Sequence, residues 1–144
     1  MIITESCLAS DIDDNFLAQH DYNFLRKDRC SNGGGILVYH SGSIQAEECL
    51  CLNFDAYDCK TEFMVFFLKP SEVLFIVIYH PHWGSSSAHS QAVYCILNIV
   101  DHAQKVHTFR SLFLCGDFNG LSEYIDDLNS LLGTVKCQLV YPPK

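Results

Sequence analysis

The chain has 144 residues, 49% of them hydrophobic and 18% charged. That balance excludes a disordered or solvating segment, which would be poor in apolar residues and rich in charge, and a domain of about 150 residues buries roughly 68–70% of its unfolded surface. With 17 acidic against 9 basic residues the net charge is −8, which excludes nucleic-acid binding by bulk electrostatics and confines any such contact to a local site or a bound cation.

In chain order, Ile2–Thr4 is a short strand, and Ser10–Asp14 carries the cap and first-turn acids of a short helix or turn. Tyr22–Arg26 reads as a strand. Gly33-Gly34-Gly35 then opens Ile36–His40, and Ile44–Asn53 follows. Glu62–Leu68 and Val73–Tyr79 are joined by a Pro-containing turn and read as a hairpin. The period then changes. Val93, Ile96, Leu97, Val100 and Ala103 share one face with Gln91, Asn98, Asp101 and Lys105 opposite, which predicts an amphipathic helix over about Ser87–Val106. Leu112–Cys115 is a short buried strand. Leu121, Tyr124, Ile125, Leu128, Leu131 and Leu132 mark a second helix with Gly133 as its stop, and Val135–Tyr141 is a last strand. Hairpins followed by strand–helix–strand–helix predict an α/β protein with a mixed sheet. The chain begins at a strand's end and stops just after a strand, so residues 1–144 read as one partial domain.

The apolar runs Phe63–Leu68 and Val73–Tyr79 are split by Lys69-Pro70-Ser71-Glu72, and neither approaches the ~20 residues of a membrane span. Ile2-Ile3 gives way at once to Thr4-Glu5, unlike a secretion signal. The expected location is intracellular, nuclear or cytoplasmic. The 8 cysteines form no C-x-x-C pair, and several lie in apolar runs, so reduced and mostly buried thiols are expected. Cys49-x-Cys51 has the wrong spacing for a zinc knuckle.

The segment that best carries chemistry is Leu112-Phe113-Leu114-Cys115-Gly116-Asp117-Phe118-Asn119. A buried strand ends, Gly116 relaxes the backbone, and an acid and an amide emerge where ligands bind α/β sheets. A plain turn explains Asp117 and Asn119 equally well. Glu5 stands in the same relation to Ile2-Ile3-Thr4. Two such strand ends could converge on one hard cation. Magnesium takes one or two carboxylates plus substrate phosphates, and an acidic protein can grip a phosphodiester through it. Tyr79, taken alone, reads as a strand-end aromatic.

These residues reach a family. Ile3-Thr4-Glu5-Ser6-Cys7-Leu8 resembles the I-T-E-S/T-W-L segment of the endonuclease/exonuclease/phosphatase superfamily, in its non-LTR retrotransposon (LINE-like) branch. Tyr22-x-Phe24-x-Arg26-x-Asp28-Arg29 with Gly33-Gly34-Gly35 resembles that branch's Y-x-x-x-R-x-D-R…GGG stretch, Ile78-Tyr79-His80-Pro81 its Y-R-P-P, and Gly116-Asp117-Phe118-Asn119 its G-D-F-N. The resemblance implies a four-layer α/β sandwich of the deoxyribonuclease I-like type, incomplete here at both ends. It implies magnesium-assisted, in-line hydrolysis of a DNA phosphodiester, with manganese as a substitute ion, DNA as the partner, no membrane and no small organic cofactor. Glu5 would bind the metal. Asp117 would orient or deprotonate the attacking water, Asn119 would hold Asp117 and the phosphate, and Tyr79 would hydrogen-bond a phosphate oxygen.

The departures set further expectations. Cys7 stands where the family has Trp, and His80-Pro81-His82 replaces R-P-P, losing a fixed positive charge. The family's earlier Asn ligand and later Asp-His pair have no counterpart in residues 1–144, and Asp101-His102 precedes Gly116-Asp117 and falls mid-helix. Weak or absent activity is therefore expected of residues 1–144 alone. A non-catalytic transposon-derived interaction module is one alternative. A phosphoinositide, sphingolipid-headgroup or RNA-tail hydrolase of the same superfamily is another. His80, His82 and His89 lack the paired ligands of a metal site. The three glycines lead into a strand and suit a bulge or close backbone contact better than a phosphate cradle. Tyr22 and Phe24 read as core. Arg26, Lys27 and Arg29 read as a solvated turn; the alternative is that Asp28-Arg29 instead braces the site internally.

Overall fold

Two apolar strands with side chains alternating between opposite faces organise the molecule. β5 (Glu62–Lys69) and β6 (Val73–Tyr79) form an antiparallel hairpin through a cis Lys69–Pro70 bond. Phe63, Val65 and Phe67 with Leu74, Ile76 and Ile78 fill one core; Met64 and Phe66 with Val77 and Tyr79 fill another. Both faces are apolar because both are covered, the pattern of a central sheet layer. The computed structural model describes residues 1–29, 33–50, 61–82 and 85–132.

The hairpin lies inside a mixed sheet of order β4-β5-β6-β7, with β4 at Gln45–Glu48 and β7 at Ser111–Asp117. β4 is antiparallel to β5, while β7 runs parallel to β6. A parallel pair needs a crossover, and α1 (Ser86–Val106) supplies it. The Ser85 hydroxyl caps α1 by accepting from the Ala88 amide at 3.3 Å. Ala92, Ile96, Ile99 and Ala103 on its inner face are fully buried against β5 and β6. Truncating Ile96 to Ala would cost roughly 2–5 kcal/mol.

The second face is covered by a three-stranded antiparallel sheet of order β1-β3-β2, from β1 (Ile2–Thr4), β2 (Tyr22–Lys27) and β3 (Ile36–Ser41). Ile36 and Val38 of β3 pack on Met64, Phe66, Val77 and Tyr79, so the sheets meet face to face. The described residues thus form an α/β protein of two open sheets, with helices on the outer face of the larger one.

The elements differ from the sequence reading in places. The segment from Asn119 to Tyr124 is a 3-10 helix, and the α-helix α2 starts only at Ile125, running to Leu132. The Leu121 amide bonds the Phe118 carbonyl at 2.8 Å, a tighter turn that still buries Leu121 against the α1 core. The acids after Ser10 precede a single 3-10 turn at Asp14–Phe16, capped by Asp13. β4 covers only part of Ile44–Asn53, whose residues 51–53 lie outside the described residues, as do Gly133 and the strand expected at Val135–Tyr141. Tyr22 is 53% exposed and is not core; Phe24 is half-buried against the Tyr39 ring at 5.8 Å. Of the described cysteines, only Cys49 is buried; Cys95 and Cys115 are half-buried and Cys7 is exposed. No helix among the described residues is long and apolar enough to cross a membrane.

Candidate functional site

The site is built at the end of β6. Tyr79 is paired with Glu62 of β5 on one side and with Asp117 of β7 on the other. Directly opposed residues point to the same face of a sheet, and Tyr79 packs in the core between the sheets. Glu62, Tyr79 and Asp117 therefore form a row across three strands, facing the smaller sheet. β1 of that sheet contacts both β6 and β7. Immediately after β1, Glu5 adopts a left-handed backbone at φ 54°, and its carboxylate accepts a hydrogen bond from the Tyr79 hydroxyl. Asn119 is also left-handed, at φ 41°. Such conformations are uncommon outside glycine and gather where a structure over-determines them.

Glu62 is a buried carboxylate with both oxygens engaged. Arg29 Nη1 donates to Oε1 and the Gly35 amide donates to Oε2, each at 2.8 Å. Gly34, at φ +81°, has no room for a Cβ, which would overlap Glu62 Oε1 and the Arg29 side chain. The Gly34 and Gly35 carbonyls accept from the Cys7 and Ser6 amides at 2.9 and 3.2 Å. The glycine run is thus a close backbone contact that ties the Glu5–Cys7 turn to the Arg29–Glu62 ion pair. The basic cluster is spent on such bracing. Arg26 bonds Asp28 and Asp14 and the Ile12 and Ala9 carbonyls, and Lys27 Nζ donates to the Phe63 carbonyl at 3.0 Å. A solvated turn is the wrong reading for Arg26 and Lys27; the brace through Asp28-Arg29 is the observed one.

Asp117 and Asn119 are held from His80. The His80 amide donates to the Asp117 carbonyl at 2.9 Å, and the His80 carbonyl accepts from Asn119 Nδ2 at 2.7 Å. The Asn119 amide in turn donates to Asp117 Oδ1 at 3.3 Å. His80 itself is fully buried, and its Nδ1 shares a 2.7 Å hydrogen bond with Thr61 Oγ1.

Burial sets the protonation of Tyr79 and His80. Burial pushes the Tyr79 phenol well above its ordinary value, helped by the Glu5 hydrogen bond and the Glu5 and Glu62 charges, with Arg29 opposing. It stays a donor at any working pH. Burial first, then the neighbouring His89, lowers His80 to about 4 against the pull of Asp117. The imidazole is neutral at pH 7.

Compared with models of known families, with curated proteins and with solved structures, the chain matches none. The residues must therefore speak for themselves. Of the four expected site residues, the fold links Glu5 to Tyr79 by a hydrogen bond, Tyr79 to Asp117 by strand pairing, and Asp117 to Asn119 by a turn. No group of three or more His, Cys, Asp or Glu side chains among the described residues is arranged to hold a metal ion. That includes the histidines, of which His80 and His89 are neighbours while His82 is exposed. Magnesium asks for less from a protein, one or two carboxylates with water and substrate oxygens completing the shell.

Sequence reasoning missed Glu62 and the burial of His80. A Thr-Glu pair opening an apolar strand looks like a solvated edge, and Glu62 owes its burial to Arg29, 33 residues away in sequence. The glycine run was its one local trace, since something must approach a backbone stripped of Cβ atoms.

Proposed function

We propose that the chain is a magnesium-dependent phosphodiester hydrolase domain of the endonuclease/exonuclease/phosphatase type, with DNA as substrate. The observation that carries this reading is the hydrogen bond from Tyr79 to Glu5 across the two sheets, beside Asp117. Motif residues 74 and 38 positions apart in sequence meet at one place, and two of the motif residues, Glu5 and Asn119, have strained backbones. Glu5 and Asp117 would hold the ion through hard carboxylate oxygens. When bound, magnesium neutralises phosphate charge and polarises a phosphoryl oxygen. Asp117, kept in place by the Asn119 amide, would orient an attacking water and take its proton. Tyr79, locked as a neutral phenol, would donate to a non-bridging phosphate oxygen, and such donors aimed at developing charge matter most in phosphoryl transfer. The four-layer sandwich belongs to this proposal; two sheets and one helical layer are described.

A second reading has a specific observation behind it. The Tyr79 hydroxyl has one proton, and Glu5 already receives it. A site closed on itself in this way suits a non-catalytic module that keeps the architecture and has lost the reaction. Weak or absent turnover by residues 1–144 alone fits both readings, so ion binding separates them. Manganese, added to the labelled protein, should broaden the resonances of Glu5, Tyr79 and Asp117 first. Magnesium should compete, and Glu5→Gln should abolish the effect. Broadening elsewhere, or none at all, overturns the hydrolase reading. Plasmid nicking measured beside an Asp117→Ala control then reads how much chemistry the domain retains.

A further inference from the structure

Two imidazoles, His80 buried and His89 half-buried, lie behind the Asp117–Asn119 turn, and the hydrolase reading gives them no task. The His80 and His89 rings meet edge to face with centroids 5.0 Å apart. Tyr124 packs on His89 in the same manner at 5.4 Å. Nε2 of both histidines is buried without a hydrogen-bond partner among the described residues. Orphaned buried nitrogens are uncommon and call for an explanation. A metal ion is a poor one, because no third His, Cys, Asp or Glu joins the pair among the described residues, and a divalent charge with two neutral ligands in an apolar enclosure is strongly disfavoured.

The surroundings give a better account. Thr61 stands immediately before β5, His80 immediately after β6, and His89 in the first turn of α1. Gly120, in the turn with Asn119, is pressed against His89, where an added Cβ would lie 2.8 Å from both Cε1 and Nε2. A continuous stack thus runs from the Thr61 hydroxyl through the two imidazoles to the turn that carries Asn119. The same His80 whose ring begins this stack presents its backbone amide to Asp117 and its carbonyl to Asn119.

We infer that the imidazole of His80, wedged between Thr61 and His89, is the positioning residue of the Asp117–Asn119 pair. The ring fixes the backbone that holds the pair, through its hydrogen bond with Thr61. This role rests on the hydrolase reading for its purpose, but the geometry it describes can be measured without metal or DNA. The charged and titratable groups around the stack are Asp117 from β7, His89 from α1 and Tyr124 from the 3-10 helix; Glu62, next to Thr61, is on the opposite face of the sheet.

The test uses three variants of the full chain, read by the side-chain amide protons of Asn119 in NMR. Asn in place of His80 puts a polar atom where Nδ1 was, within reach of Thr61. Gln puts one where Nε2 was, and Phe keeps only the ring volume. His80→Asn should leave the Asn119 protons as in the parent. His80→Gln and His80→Phe should speed their exchange about tenfold, the loss of one neutral hydrogen bond. A role in packing alone predicts the reverse order, with Phe best preserved, and that result overturns the inference. Should Phe fail to fold, the contrast between Asn and Gln still decides.

Discussion

The Tyr79 hydroxyl donates to the Glu5 carboxylate, joining the last residue of β6 to the turn after β1 and so one sheet to the other. Tyr79 is buried while Glu5 is exposed. Tyr79→Phe keeps the ring's packing between the sheets and returns Glu5 to water, so the loss should be modest, about 1 kcal/mol in urea unfolding. An unchanged midpoint would mean that the bond does not hold the sheets together in solution. The same variant frees Glu5, so the manganese affinity read at that residue should stay level or rise.

Arg29 and Glu62 should behave as a unit. Arg29→Met leaves a buried carboxylate with only the Gly35 amide for company, and should cost roughly 2–3 kcal/mol. Glu62→Leu strands the Gly35 amide, while Arg29, about one-third exposed, can turn to solvent. The double variant should therefore be less unstable than the sum of the singles, since removing both partners leaves no unpaired buried charge. Strict additivity in denaturation midpoints would show that the ion pair contributes nothing to the fold.

The parts of this protein that were readable from sequence are those decided within one element. The alternation of Phe63 to Phe67 and Leu74 to Ile78 fixes β5 and β6, and the spacing of Val93, Ile96 and Val100 fixes α1, because one face of each must be buried. The Tyr79–Glu5 hydrogen bond and the pairing of Tyr79 with Asp117 join residues 74 and 38 positions apart, which no local pattern carries. What escaped was set between elements. Glu62 becomes a buried anchor through Arg29 and Gly35, and His80 through Thr61 and His89. No local pattern carries a partner that lies tens of residues away.

Gly116 offers a sharp test of the β6–β7 pairing that delivers Asp117. It sits opposite Ile78 with φ +126°, and a Cβ there would overlap the Ile78 carbonyl oxygen. Backbone cannot give way as a side-chain tip can. Gly116→Ala should cost roughly 3 kcal/mol or more and displace Asp117 from its place beside Tyr79. Gly33, at φ +132° with nothing within 4 Å of its added Cβ, faces conformational strain alone. Gly33→Ala should cost only about 1–2 kcal/mol. Equal losses in the two variants would show that the close approach at Gly116 is not what matters.

Acid should destabilise the fold through His80. Burial first, then the neighbouring His89, holds its imidazole down to about 4 in the folded protein, against the pull of Asp117, whereas an unfolded chain titrates it near about 6.5. Between those values the unfolded chain binds the proton and the folded one does not. Stability therefore rises with pH across the window: the contribution is complete above roughly pH 6.5 and is lost as the pH falls toward about 4. The loss should be roughly 2 kcal/mol, less than the full shift implies because part of the field is screened. The carboxylates also titrate in this range, so the comparison must be internal. Urea unfolding of the parent and of His80→Asn at about pH 7 and about pH 4.5 supplies it, since every carboxylate is common to both. The variant should lose less stability on acidification than the parent. An identical acid loss in the two proteins would place the responsible proton on some other group and leave His80 without a part in it.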